Sequence, residues 1–215
     1  MVKKDKSRRT EILEKAAILF HQKGYAATSI RDIAREMKME SASLYNHIQS
    51  KQEILQAILL PIAHRYTQGI KDISSSPLTS IQQLERIIAD QVQITIQNTD
   101  AVSLVPNEWV HLENNKEHDA LQEFLDLRNF YEKEFKHIFQ KCIKDGYLKN
   151  VNIDIAVFSI LSTLRWLYSW YSKNKNVNPL VLETELINNL IGGIRRWTAD
   201  GERRTTDGGR RTADD

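Results

Sequence analysis

The sequence predicts an all-α protein, and three observations carry that expectation. Apolar residues return at helical i, i+3, i+4 spacing through most of the chain. Proline and glycine are scarce, four and eight in 215 residues, and they fall where that spacing breaks. Residues that cap helices stand at the same breaks.

Ile12, Leu13, Ala16, Leu19 and Phe20 form the first apolar face, with Arg9 or Thr10 before it and Gly24 as a stop. A helix is expected over about 10–23. Thr28 or Ser29 caps a second, short helix with Ile30, Ile33, Ala34 and Met37 inward and Arg31, Asp32, Arg35 and Glu36 outward. Ser41 opens a third that holds Leu44 and Ile48 inward. Ser50, with Glu53 three residues on, reads as a capping box for a fourth. After Pro77 the helices lengthen: 79–98, a short one near 104–113, then 117–145, 153–173 and 179–197, jointed at Gly146 and Pro179. From Thr198 the unit Thr-Ala-Asp-Gly-Glu-Arg-Arg repeats without apolar periodicity, so 198–215 is expected to be a disordered tail.

Hydrophobic residues make up 41% and charged residues 27%, the balance of an ordinary globular chain. No run approaches the roughly 20 apolar residues that cross a bilayer. No apolar stretch follows the basic residues at the N-terminus, so no secretory signal is expected. The single cysteine, Cys142, excludes an intrachain disulfide and fits a reducing, cytoplasmic setting. The net charge is only +2, but residues 1–55 hold eleven Lys and Arg against seven Asp and Glu, which leaves the remainder near −2. Positive charge gathered at one end suggests a phosphate-facing head on a body with another task.

Residues 28–48 have the spacing of a helix-turn-helix, in which one helix braces across the backbone and the next reaches base edges in the major groove. Ser41, Ala42 and Ser43 are small enough for close approach to DNA. Thr28, Tyr45, His47 and Lys51 are donors within reach of phosphates. Taken singly, Tyr45 reads equally well as a core aromatic and His47 as a surface residue. The basic residues Lys3, Lys4, Lys6, Arg8 and Arg9 read equally as a solvated arm or a phosphate contact.

The combination of Ile12 to Phe20, Gly24-Tyr25, Thr28-Ser29-Ile30, Asp32-Ile33-Ala34, Leu44-Tyr45-Asn46-His47-Ile48, Ser50-Lys51 and Ile54-Leu55 resembles the TetR family of transcription regulators. The resemblance implies a three-helix DNA-binding head over 1–55 and a helical effector-binding and dimerisation domain over 56–197. It assigns base contacts to Arg31, Ser41, Ala42, Tyr45 and Asn46, and phosphate contacts to Thr28, Ser43, Tyr45, His47 and Lys51. It also implies repression relieved by a small molecule. Two positions depart from the family pattern. Lys38 stands where the turn often has glycine, at a cost of roughly 1–2 kcal/mol if its φ is positive, and Gln49 stands where proline is common.

The last two helices carry apolar faces, Val157, Ile160, Leu161, Leu164, Leu167, Tyr168 and Tyr171 on one, Leu182, Leu186, Ile187, Leu190, Ile191 and Ile194 on the other. They serve equally as core or as the interface of a homodimer, which a palindromic operator with half-sites about 34–36 Å apart asks for. The segments 107–112 and 164–171 resemble a TetR branch that responds to acyl-coenzyme A thioesters. On that resemblance Leu104, Trp109, Phe130, Phe135, Trp166 and Trp170 wall an apolar tunnel, and Arg165, then Arg128, meets the cofactor phosphate. The competing reading makes the tryptophans core and dimer anchors and pairs Arg165 with Glu108. His111, Glu113, Glu117 and His118 follow no recognised ligand spacing, so no metal or bound cofactor is expected. An enzyme finds no support either: the chain lacks a nucleophile elbow, a P-loop, a dinucleotide turn and a zinc-protease helix. A body that answers to another hydrophobic ligand, or to a protein partner, stays open.

Overall fold

The computed structural model describes residues 7–112 and 119–196. The expected tail, Lys3, Lys4 and Lys6 of the basic arm, and Glu113, Glu117 and His118 lie outside the described residues. The order is α1 (Arg8–Lys23), α2 (Ile30–Glu36), α3 (Ser41–Leu44), α4 (Lys51–Ser74), α5 (Ser80–Gln97), α6 (Thr99–Leu104), a 3-10 turn (Glu108–His111), α7 (Ala120–Lys144), α8 (Ile153–Tyr171) and α9 (Pro179–Ile191). No described helix is long and apolar enough to cross a membrane. An isolated antiparallel bridge pairs Leu148 with Arg195.

The caps explain most boundaries. Ser7 accepts from the Thr10 amide, which starts α1 two residues before the expected point. Gly24 ends it at φ +84°, a conformation that glycine adopts without a Cβ penalty. Ser29, not Thr28, caps α2. Ser50 accepts from the Glu53 amide at 3.0 Å, but the Glu53 carboxylate takes the Gln49 amide, so the reciprocal half of the expected box falls one residue earlier. At the α4–α5 corner the buried side-chain amide of Gln83 donates to the Ile73, Ser74 and Ser76 carbonyls at the C-terminal end of α4.

Two expectations fail. The helix near 104–113 is instead α6, which ends at Leu104, followed by the separate 3-10 turn. Asn98 ends α5 within a residue of the expected 79–98, its side-chain amide donating to the Ile94 carbonyl, but the chain enters α6 directly at Thr99, and Pro106 prevents α6 from continuing. The last helix stops at Ile191 rather than 197, where Gly192-Gly193 lowers helix propensity and the chain turns to pair Lys149 with Ile194.

The core has two main parts. One joins α1, α2, α3 and the start of α4 to Leu104, Leu112 and Phe124. The other fills the far end of the body around Phe135, Phe139, Cys142 and the inner face of α8. Helix α4 runs unbroken across residue 55 and packs along α7. Head and body therefore share one rigid strut, although Pro61 leaves the Ala57 carbonyl without its helical donor. Cys142 is fully buried, and burial pushes its thiol up to about 11. Every buried side-chain nitrogen and oxygen among the described residues has a hydrogen-bond partner.

Candidate DNA-binding head and effector cavity

The head is built from the α2–α3 corner. Ser29 accepts from the Asp32 amide at 3.1 Å while the Asp32 carboxylate accepts from the Ser29 amide at 3.0 Å. Hydrogen bonds from the Ser29 side chain and then its backbone hold the Asp32 carboxyl below its usual range. The chain then reverses at Lys38, whose φ is +53°. Helix α3 is a single turn, and Tyr45 to His47 continue it as turns rather than helix. Leu44 and Ile48 are buried behind it, as expected. In front, Arg31, Ala42, Ser43, Tyr45, Asn46 and His47 are exposed and Ser41 is half-buried. Tyr45 is 53% exposed, which excludes the core reading.

Two expected phosphate contacts are placed differently. Thr28 is 1% exposed, and its hydroxyl donates inward to the Gly24 carbonyl at 2.9 Å. It braces the corner and does not face outward. The Lys51 ammonium donates to the Tyr25 and Thr28 carbonyls, each at 3.0 Å, and lies 4.2 Å above the Tyr25 ring. Two of its three protons hold the head together. Arg9 pairs with Glu53 at 2.8 Å, and Arg8 reaches Glu11 and the Met37 carbonyl, so both brace the head as well.

Lys38→Gly removes the left-handed penalty but adds unfolded-state entropy, and the net expectation is a gain of about 0.5–1 kcal/mol. Thermal unfolding measures it. A lowered midpoint would mean that the Lys38 side chain makes contacts worth more than its strain.

In the body, a cavity of about 100 Å³ lies between α4, α5, α6, α7 and α8. Among the expected wall residues only Trp109 lines it, and Arg128 and Arg165 line it as well. Leu104 and Phe135 are buried in the two cores, and Phe130 packs on the far-end core beneath the Lys71 ammonium at 4.7 Å. Trp166 and Trp170 point outward, 51% and 47% exposed. Their tunnel role is therefore corrected: α8 turns Leu161 to the cavity and its tryptophans to the surface. The face from Val157 to Tyr171 that was equally core or interface is core.

The residues that sequence reasoning missed include Tyr66, Gln91, Leu127 and Tyr131. The Tyr131 hydroxyl donates to the Gln91 side-chain oxygen at 3.3 Å, and the Tyr66 and Tyr131 rings meet edge-on at 5.9 Å. Burial pushes Tyr66 up to about 12 and raises Tyr131 well above the ordinary phenol value, so both remain neutral donors. Trp109 stacks on Phe124, and the Arg128 guanidinium lies 4.9 Å from its ring. Glu108 does not take Arg165: its carboxylate accepts the Tyr25 amide and faces His111. Among the described residues no hydrogen bond or ion pair engages Arg165, which is exposed beside the cavity.

A helix-turn-helix presented on an all-helical body with its own cavity defines a DNA-binding transcription regulator. The family model "Bacterial regulatory proteins, tetR family" matches residues 12–58, and "Tetracyclin repressor-like, C-terminal domain" matches 77–194. The chain belongs to the TetR family of transcriptional regulators, and it is not an enzyme. The transcriptional repressor KstR2 of Rhodococcus jostii RHA1 is 27% identical over 189 residues, covering 87% of this chain and 91% of that protein. The structure of KstR2 from Mycobacterium tuberculosis shares the fold at a TM-score of 0.81 and 23% identity, over 92% of this chain and 98% of that one. AibR shares it at 0.71 and 21% identity, over 86% and 98%.

Proposed function

We propose that the chain is a cytoplasmic homodimeric repressor that sits on a palindromic operator and leaves it when an acyl-coenzyme A thioester occupies the body. The observation that carries the effector class is the pair Arg128 and Arg165 beside an apolar cavity, Arg165 without a carboxylate partner among the described residues. An unneutralised guanidinium there suits a phosphate or carboxylate. Glu132 also lines the cavity and opposes an anion, but the two guanidiniums outnumber it and leave a net positive lining. AibR, whose structure holds isovaleryl coenzyme A and operator DNA, supports the same class.

The cavity, about 100 Å³, is well below the roughly 300–1,000 Å³ of ligand-sized sites. Only a short acyl group enters without wall movement, and the coenzyme must lie along the arginines. A rigid multi-ring body is the second reading, favoured by the KstR2 relative described as a ketosteroid transcriptional regulator. The dimer is proposed to form through the outward stripe of α8, Ile155, Phe158, Trp166 and Trp170 with the small Ser162 between them, and through Leu180 and Val181 of α9. The α8 residues follow helical spacing on the side opposite the core, so a second copy related by a two-fold axis covers them with the same stripe. For DNA, the exposed set Arg31, Ala42, Ser43, Tyr45, Asn46 and His47, with the half-buried Ser41, is proposed as the reading surface.

Thermal unfolding with isovaleryl-coenzyme A, longer acyl-coenzyme A thioesters and the matching free acids tests the effector. A thioester at about a hundred times its Kd is expected to raise the midpoint by about 5–10 °C. The free acid should raise it less, and Arg165→Ala should narrow the difference. No shift with any thioester removes the acyl-coenzyme A reading.

A further inference from the structure

The 3-10 turn Glu108–His111 has two working sides. Toward the cavity it supplies Trp109, stacked on Phe124 and covered by Arg128. Toward the head, the Glu108 carboxylate accepts the Tyr25 amide at 3.3 Å, and the His111 ring lies 5.1 Å from the Tyr25 ring. The His111 carbonyl accepts the Gln52 side-chain amide at 2.8 Å, and the Gln52 oxygen accepts the Tyr25 hydroxyl at 2.9 Å. Gln52 and Lys51 belong to the first turn of α4. Lys51 in turn joins the Tyr25 and Thr28 carbonyls immediately before the Ser29 cap of α2. One short turn thus touches the cavity wall, the entry to the helix-turn-helix and the strut behind it.

We infer that this turn is the relay between cavity and head, with Tyr25 as its hub and Glu108, His111 and Gln52 as positioning residues for the DNA-reading corner. A displacement of Trp109 has no independent path: its neighbours Glu108 and His111 are bonded to Tyr25 and Gln52, so the turn carries them with it. The corner then loses the bonds that set its angle to α4. The contacts are few, part-exposed and mostly single hydrogen bonds, so the relay breaks at modest cost whereas the cores on either side do not. The relay rests on the reading of the cavity as the effector site, but it is testable without DNA or effector.

Amide hydrogen exchange of the full chain provides that test. Trp109→Ala is expected to speed exchange of residues 29–47 by about tenfold and to leave α8 unchanged, since local opening is read separately from global unfolding. Gln52→Ala should produce a similar local acceleration. The Trp109→Ala, Gln52→Ala pair should be no faster than the stronger single variant, because both cut one path. Leu161→Ala, which opens a void on the opposite wall, should leave 29–47 unchanged. Trp109→Phe, which keeps a ring on Phe124, covers the case in which alanine prevents folding and should give a smaller change of the same sign. Additive effects, an unchanged corner in both Trp109 variants, or equal acceleration in α8 would each overturn the relay. Failure of every thioester to shift thermal unfolding would remove the proposed effector class while leaving these exchange results to decide the relay.

Discussion

Phe158→Glu combined with Trp166→Glu yields a folded monomer that no longer holds operator DNA. Both side chains are exposed in the single chain, 71% and 51%, so their replacement removes no intrachain core and the melting curve should move little. In the proposed dimer each is covered. Burial of a large apolar side chain contributes about 1.5–3 kcal/mol, and two-fold symmetry counts each change twice, so about 6–12 kcal/mol of association is lost. The introduced carboxylates add a desolvation cost on top. Light scattering after gel filtration should report half the mass. Fluorescence anisotropy on a palindromic duplex should show affinity falling at least about a thousandfold, because one head then binds one half-site. A dimer that survives both substitutions would move the interface to another face.

Tyr45→Ala is expected to weaken operator binding by about 30- to 1,000-fold, since a side chain in the major groove contributes about 1–2 kcal/mol and acts once per half-site. Arg31→Ala separates two roles for its charge. If Arg31 meets phosphate, the dimer loses two counterion-releasing contacts and the slope of log affinity against log salt becomes shallower by about 2. If it reads a base, affinity falls mainly for the cognate sequence and the slope changes less. Binding unaffected by Tyr45→Ala would place the DNA on a different surface of the head.

The head was largely legible in the sequence because its determinants are local. Ser29 caps α2 and Gly24 closes α1 through bonds three or four residues long, and Leu44 and Ile48 face inward by helical spacing alone. The illegible part of the head was the polar side chains whose partners helical spacing does not mark. Thr28 looks like a free hydroxyl until α1 brings the Gly24 carbonyl beneath it, and Lys51 looks like a free cation until Tyr25 folds under its ammonium.

The body was harder for a definite physical reason. Helix α8 is apolar on both sides, and a 3.6-residue period locates the stripes without saying which one meets the core. Trp166 and Trp170 were therefore placed in a tunnel from which α8 turns them away. Tyr66, Gln91 and Tyr131 come from three helices and converge only after α4, α5 and α7 have packed. The break at Asn98 carries neither proline nor glycine and leaves no gap before Thr99, so the short helix was expected later, near 104–113, where the chain instead forms a 3-10 turn.

Cys142 offers a practical route into these questions. Because the chain has no other cysteine, and this one is enclosed between helices and remains protonated, the native protein presents no accessible thiolate near neutral pH. A cysteine introduced at Ser43 or Asn46 is then the sole target for maleimide chemistry without prior removal of the natural thiol. Paired across the two copies of a dimer, such labels turn the distance between reading heads into an optical ruler.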